Sequence, residues 1–290
     1  MGSNLLQTCR GRITVKIRAG FAYIAPLSVW MGGMFLSPIV IIFSFSFLRR
    51  GLYGGVTNQL TIDAYQQLWN PIYAKVLLNT LVMSIIATVI MIFFAIPTAY
   101  FMARSKRKTF WLFLVIIPFW TNFLIRIYAW IAILGNNGMV NQLLLRLGWI
   151  DQPLRLLYNP VSVILVLVYT YLPFAILPLF STIEKFDFSL LEAARDLGAT
   201  RIQAFRKVLI PSVKSGLFSA ILFCFIPSFG QYAVPQLVGD SRAYMMGNII
   251  ARELTITRNW PLSAAISTLI TAVTLFALLF FVNQNNRAHK

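Results

Sequence analysis

The chain has 290 residues, of which 58% are hydrophobic and only 11% charged, against about 25% charged in an ordinary soluble domain. That balance excludes a water-soluble globular fold and places the chain in the membrane class before any motif is considered. A net charge of +17 invites a nucleic-acid reading, and the distribution of the basic residues along the chain argues against it.

Six stretches are free or nearly free of Asp, Glu, Lys and Arg: 19–48, 76–103, 109–125, 156–183, 215–239 and 259–286. A spanning helix needs about 20 mostly apolar residues to cross a ~30 Å hydrocarbon core. The third stretch reaches that length by running past Arg126 through 127–134. The sequence therefore predicts an all-α membrane protein with six transmembrane helices in one domain, 19–286. A cytoplasmic arm, 1–18, precedes it and a cytoplasmic tail, 287–290, follows. The first run is about twice a signal-peptide core and ends in large residues, so it reads as a span. Position 6 is Leu, which breaks the myristoylation pattern after Met-Gly.

Charge sets the orientation. Sixteen of the 25 basic residues fall in 1–18, 104–108, 184–214 and the tail, and eight fall in the alternate loops. Cytoplasmic loops carry such an excess, which places both termini in the cytoplasm. The densest cluster, 104–108, sits at a helix end, so the net charge reports topology and not nucleic acid. Cys9 and Cys224 lie in the arm and in the fifth span, too far apart to bridge.

The loops are short. Residues 49–55 read as a glycine-rich turn region and 61–65 as the start of a short capped helix. Gly135-Asn-Asn-Gly138 signals a turn, and 141–147 an amphipathic interfacial segment. Pro97, Pro118, Pro173, Pro178, Pro227 and Pro235 interrupt the spans, and proline removes a backbone hydrogen bond and bends the helix. Pro227 and Pro235 bracket Ser228-Phe-Gly230-Gln231-Tyr232. That patch is either a packing kink or a bend lining a pathway, since interrupted helices recur at transport sites.

One polar loop stands out, 184–214. Ser189-Leu-Leu-Glu192 has the form of a capping box, and Thr200-Arg-Ile-Gln203 forms a second. Gly198 supplies a corner between them, and Pro211 is expected to stop the second helix. A plain connector or a DNA-binding helix-turn-helix are the other readings; membrane spans at both ends argue against the latter.

Glu192-Ala193-Ala194, followed by Gly198-Ala199, Phe205 and Pro211, resembles the EAA motif of permease subunits of bacterial ABC importers. The resemblance implies a type I importer permease fold, with this loop as a coupling helix docked on a separate ATPase. It implies that Glu192 pairs with a basic residue of that ATPase, that Gly198 shapes the turn, and that Ala193 and Ala194 allow close approach. No GxxxxGK[ST] loop occurs in the chain. Catalytic, metal and cofactor sites are therefore not expected here; ATP and Mg would belong to the partner. The implied partners are a second permease, two ATPase subunits and a periplasmic or lipid-tethered binding protein in a bacterial inner membrane.

Pro118-Phe-Trp-Thr-Asn122, Ile125-Arg126-Ile-Tyr128-Ala-Trp130, Met246-Gly247-Asn248 and Asn259-Trp260-Pro261 resemble the spermidine/putrescine branch. Permeases for opines, amino-acid derivatives or compatible solutes share parts of this pattern. Aromatic rings suit an ammonium ligand, at ~0.5–2 kcal/mol per contact. The candidate path is Trp120, Asn122, Tyr128, Trp130, Tyr169, Tyr171, Ser228, Gln231 and Tyr232, with Asp240 and Glu253 near an outer helix end. Aromatics at helix ends also form ordinary interfacial belts. No carboxylate lies inside a span, which argues against an ion-coupled secondary carrier. The single histidine, His289, lies in the tail, leaving no metal-enzyme pattern. A stand-alone channel would leave the capped loop unexplained. Arg126 is a cation inside a span, left to cap carbonyls, pair with a partner subunit or snorkel outward.

Overall fold

The computed structural model describes residues 3–287, with side chains described from 24 to 279 other than Ala277. The tail residues 288–290, His289 among them, and residues 1–2 lie outside that range. In chain order come α1 (Ser3–Phe45), the strands β1 (Leu48–Arg50) and β2 (Val56–Leu60), α2 (Asp63–Gln67) and α3 (Pro71–Arg104). Next are α4 (Lys108–Ile116), a 3-10 turn (Ile117–Trp120), α5 (Phe123–Leu134), α6 (Met139–Arg146) and α7 (Pro160–Ile183). Then follow α8 (Ser189–Asp196), α9 (Arg201–Ala204), a π turn (Phe205–Leu209) and α10 (Ile210–Ser212). The chain continues through α11 (Lys214–Phe229), α12 (Ala233–Val238), a 3-10 turn (Ser241–Ala243), α13 (Met246–Thr255) and α14 (Trp260–Arg287).

The molecule divides into two compact units. The first contains residues 1–67 and 258–272. Here the expected glycine-rich turn region proves to be a small antiparallel hairpin of β1 and β2, with a register irregularity at Leu48/Arg49. Alternation over 56–60 is too short to announce a strand against a membrane background. The expected start of a capped helix is present: the Thr61 hydroxyl accepts from the Asp63 amide at 3.2 Å. Phe47 packs on Tyr65 at 5.2 Å, and the Tyr65 hydroxyl pairs with that of Ser46 at 2.9 Å.

The second unit holds residues 68–257 and 273–290. Its centre is α3, which packs on α7 and α11. The buried stripe of α3 reads Met83, Ala87, Met91, Ala95, Ala99 and Ala103, a four-residue ridge along one face. Lipid supplies no hydrophobic force between helices, so close approach by small side chains has to provide the packing. Ala87, Ala95 and Ala99 are completely buried, and Val163, Val166 and Leu167 of α7 meet them in the same core. Gly216 of α11 lies against α7. A Cβ there would stand 2.7 Å from Thr182 Cβ and 3.0 Å from the Pro178 carbonyl.

Two predicted spans are not continuous helices. The third breaks after the 3-10 turn that Pro118 opens, and Asn122 recaps α5 by accepting from the Leu124 amide at 2.8 Å. The fifth breaks at 230–232, between α11 and α12. Arg201–Ser212 and Lys214–Phe229 also meet at a bend of 75°. Among the described residues four helices are long and apolar enough to cross a membrane, Ile24–Phe45, Pro71–Arg104, Phe123–Arg146 and Pro160–Ile183, and five with the bent pair.

Gly216→Val is expected to destabilise the protein by about 1–3 kcal/mol through overpacking, read as a lowered melting temperature in detergent. Gly230 has φ −83° and its nearest neighbour 3.7 Å away. Gly230→Ala in the same assay should therefore stay within about 0.5 kcal/mol.

Candidate functional site

The loop that follows α7 is built from local hydrogen bonds. At its start the predicted capping box of Ser189 and Glu192 does not form. The Asp187 carboxylate accepts from the Ser189 amide at 3.0 Å instead, and α8 has no side-chain cap at Phe188. An acidic side chain two residues upstream is the stronger acceptor and takes the amide first. The Ser189 side-chain and backbone hydrogen bonds hold the exposed Asp187 carboxyl below its usual range. A lowered folded value means this order is complete at neutral pH and is lost as acid protonates Asp187.

The end of α8 is closed on both sides of Gly198, whose φ of +90° only glycine adopts without strain. The Gly198 amide donates to the Arg195 carbonyl at 2.9 Å, and the Ala199 amide to the Ala194 carbonyl at 3.0 Å. Those two bonds make a Schellman motif. Its apolar contact faces inward: Ala194 and Ala199 are half-buried against the core. Ala193 is exposed, so of the two alanines expected to face a partner only Ala193 does so freely.

The second capping box forms as predicted. The Gln203 amide donates to Thr200 Oγ1 at 3.2 Å, and the Thr200 amide to Gln203 Oε1 at 2.9 Å. The helical run that this box opens ends at Ser212, one residue past Pro211, and the 75° bend follows at Val213.

Aromatic rings fasten the loop to the end of α3. Tyr100 sits edge-on to Phe188 at 6.0 Å and to Phe205 at 5.8 Å. Arg104 donates to the Tyr100 hydroxyl at 3.0 Å and lies 5.4 Å from the Phe188 ring centre. Around these groups is an open cleft of about 570 Å³ lined by Tyr100, Arg104, Glu192, Arg195, Arg201 and Phe205. Glu192 is exposed at its rim. Two apolar residues that the sequence reading missed complete the surface: Leu197 is 89% and Ile202 71% exposed. Each flanks the Gly198 corner, and an apolar residue beside a capped turn is the signal that could have found them.

The residues proposed for the path divide into two groups. The structure brings together Tyr171, Gln231 and Tyr232. Gln231 Nε2 donates to the Tyr171 hydroxyl at 2.8 Å, while its Oε1 accepts from the Tyr232 and Ala233 amides at 2.8 and 3.1 Å. Gln231 thus stitches the break between α11 and α12. Asn248 extends the seam by donating to the Tyr232 carbonyl and to Gln236 Oε1, each at 3.1 Å. One turn before it, Ser228 is fully buried and its hydroxyl has no partner among the described residues. Trp130 and Tyr169 pack edge to face at 5.4 Å.

The remaining proposed residues have other duties or stand apart. Asn122 is a helix cap. Trp120 and Tyr128 are exposed on α5 and the turn before it. Asp240 binds Arg242 at 2.8 Å and caps the turn at 241–243. Burial opposes its ionisation, but the bonds from Arg242 outweigh that and hold its pKa low. Glu253 accepts from Thr257 Oγ1 at 2.6 Å, two residues past the end of α13. Asp240 is thus paired with a cation, whereas Glu253 holds a neutral hydroxyl.

Thr200→Ala should cost the loop about 1 kcal/mol of order, seen as faster amide hydrogen exchange across Arg201–Ala204 with exchange in α3 unchanged.

A helical membrane protein with a fastened polar loop has relatives of known kind. Two are spermidine/putrescine transport system permease proteins PotB. That of Haemophilus influenzae is 41% identical over 261 residues, covering 89% of this chain and 91% of the relative. That of Escherichia coli is 40% identical over 263 residues, covering 90% and 96%. The inner membrane ABC transporter permease protein YdcU of Escherichia coli is 30% identical, covering 88% of this chain and 86% of its own. A solved bacterial ABC transporter chain, from a system that imports the acidic polysaccharide alginate, superposes with a TM-score of 0.73 at 17% identity, over 96% of this chain and 100% of that one. At that identity it shows the fold alone. The sequence profile of the binding-protein-dependent transport system inner membrane components matches residues 67–288, and the chain belongs to that family.

Proposed function

We propose that this chain is the permease subunit of an ATP-driven importer for polyamines, spermidine or putrescine. The observation that carries the reading is 41% identity to a spermidine/putrescine permease across nine-tenths of both chains. In this reading the chain crosses the membrane six times with both termini in the cytoplasm. It forms half of the translocation path beside a second permease. Two ATPase subunits bind ATP and Mg, and a periplasmic or lipid-tethered binding protein delivers the substrate.

The chemistry of the loop suits its role. Glu192 projects from a rim that also carries Arg195 and Arg201, so a partner groove must offer both signs of charge. Leu197 and Ile202 supply apolar area on either side of the corner. When ATP closes the ATPase dimer, the loop moves with it. Tyr100, Phe188 and Phe205 transmit that movement to α3, and the interruption at 230–232 lets the path turn. The path offers aromatic faces and neutral polar groups, which suits a polycation carried without tight binding.

Uptake of labelled spermidine against labelled putrescine, in cells carrying the complete transporter, identifies the substrate. Uptake of neither would overturn the polyamine reading. Glu192→Lys places like charge against the ATPase's basic partner, and such juxtaposition costs several kcal/mol. It should lower uptake at least about tenfold while the protein still inserts and the ATPase still hydrolyses ATP. Unchanged uptake would sink the docking role of Glu192.

A further inference from the structure

The turn between α3 and α4 gathers four cations in five residues, Arg104, Lys106, Arg107 and Lys108. It directly follows Pro71–Arg104, a helix long and apolar enough to cross a membrane. Ser105 fixes its shape. The Ser105 amide donates back to the Phe101 and Met102 carbonyls at 3.1 and 3.2 Å and closes α3. The Ser105 hydroxyl then accepts from the Arg107 amide at 3.2 Å and from Trp111 Nε1 at 3.1 Å.

The four cations divide into two pairs. Arg104 is turned to the Tyr100 hydroxyl and the Phe188 ring. Lys108 pairs at 3.2 Å with Glu184, the residue that ends α7. Lys106 and Arg107 are exposed at the apex, and neither has an acidic partner among the described residues. The flanking helices expose apolar side chains beside them: Phe101 on α3, and Phe110, Phe113 and Leu114 on α4, are each more than half exposed. Trp111 joins the two helices, its ring 5.3 Å from that of Phe101 and 5.5 Å from that of Phe110. Two uncommitted cations beside exposed rings are complementary to a molecule with an anionic head and apolar chains.

We infer that the α3–α4 turn is a binding site for an anionic phospholipid, with Lys106 and Arg107 on the phosphate and the acyl chains over Phe101, Phe110 and Phe113. Orientation by charge needs only a number of basic residues on one side of the membrane. Here two cations are drawn into internal contacts, and the other two are presented on a turn of fixed shape. Basic clusters directly beside a span attract anionic lipid, each cation strengthening the attraction about fivefold. An acidic protein surface would match the cations and leave the rings uncovered, whereas a lipid meets both. Because Arg104 and Lys108 of the same turn hold Phe188 and Glu184, a lipid seated there steadies the start of the polar loop. None of this depends on which solute the transporter carries.

The test places the complete transporter in phosphatidylcholine nanodiscs containing either brominated phosphatidylglycerol or brominated phosphatidylcholine, whose bromines quench a nearby tryptophan. The emission belonging to Trp111 is the difference from a Trp111→Phe variant made in each background. Brominated phosphatidylglycerol should quench Trp111 at a lower mole fraction than brominated phosphatidylcholine. Lys106→Gln and Arg107→Gln should each raise the mole fraction needed about fivefold. Lys106→Arg with Arg107→Lys keeps both charges and should quench as the wild type does, which separates lost charge from a disturbed turn. Arg146→Gln with Arg155→Gln removes the same charge elsewhere and should change nothing. Equal quenching by the two lipids in the wild type overturns the proposal, since the turn is then covered by protein or prefers no lipid. A preference that survives Lys106→Gln with Arg107→Gln also overturns it. So does one abolished by inorganic phosphate but not by chloride of equal ionic strength, which marks a site for a free anion.

Discussion

Close contact between α3 and its two neighbours is the constraint on which the second unit depends. Side chains that exclude water gain nothing from leaving lipid, so packing must come from shape. Ala87, Ala95 and Ala99 let α7 approach α3, and Gly216 lets α11 approach α7 where a single added carbon would collide with Thr182. Methionines at 83 and 91 fill the gaps between the alanines. The consequence reaches the end of the bundle. Tyr100 and Arg104 stand at the end of the same α3, and the rings of Phe188 and Phe205 clasp Tyr100 from two sides of the loop. The loop is thereby fastened to the packed bundle through aromatic contacts, while its outer surface is left open. A loop that is rigid inwardly and free outwardly can act as a lever.

How much of this the sequence disclosed follows from which interactions are local. The apolar runs at 76–103 and 156–183 are uninterrupted and became α3 and α7. Thr200 and Gln203 sit at capping-box spacing with no competitor nearby, and the box formed. Ser189 and Glu192 have the same spacing, yet Asp187 captures the amide first. The breaks at 117–122 and 230–232 were only half visible. Proline marked both places, but composition alone does not separate a kinked helix from two helices. The side on which each alanine of Glu192-Ala193-Ala194 faces depends on the Schellman closure at Gly198, which is tertiary in its consequence though local in its bonds. The hairpin at 48–60 is held in part by distant residues: the Gly55 amide donates to the carbonyl of Arg258 at 3.1 Å. No reading of 48–60 by itself contains that.

The path residues show a further limit of sequence reasoning. Gln231 was singled out as a polar group in an apolar run, and it is buried, but its bonds close the gap between α11 and α12. Asn248, distant in sequence, does comparable work on the same seam and was seen only as part of a family pattern. A buried amide with both ends satisfied is first a structural device. The Tyr171 hydroxyl is different, because it accepts from Gln231 and its own proton has no acceptor among the described residues. Ser228 likewise has an unsatisfied hydroxyl nearby along α11. Structural closure and unsatisfied polar groups therefore coexist within a few residues of the break.

Electrostatics then bears on what such a path can do. Asp240 is committed to Arg242 and Glu253 to Thr257, and the spans contain no acid. A path lined by the proposed residues would offer a cation ring faces and neutral dipoles, each contact worth ~0.5–2 kcal/mol. Contacts of that size add up slowly and release readily, so such a path would favour passage over retention. Strong discrimination would need a buried, charge-complementary site, because unsatisfied polar groups are what reject a wrong ligand. This chain holds no acidic site of that kind within its spans. Arg126, within the qualifying segment Phe123–Arg146, has the wrong sign for a polycation, and its charge rests beside the rings of Phe119 and Phe123.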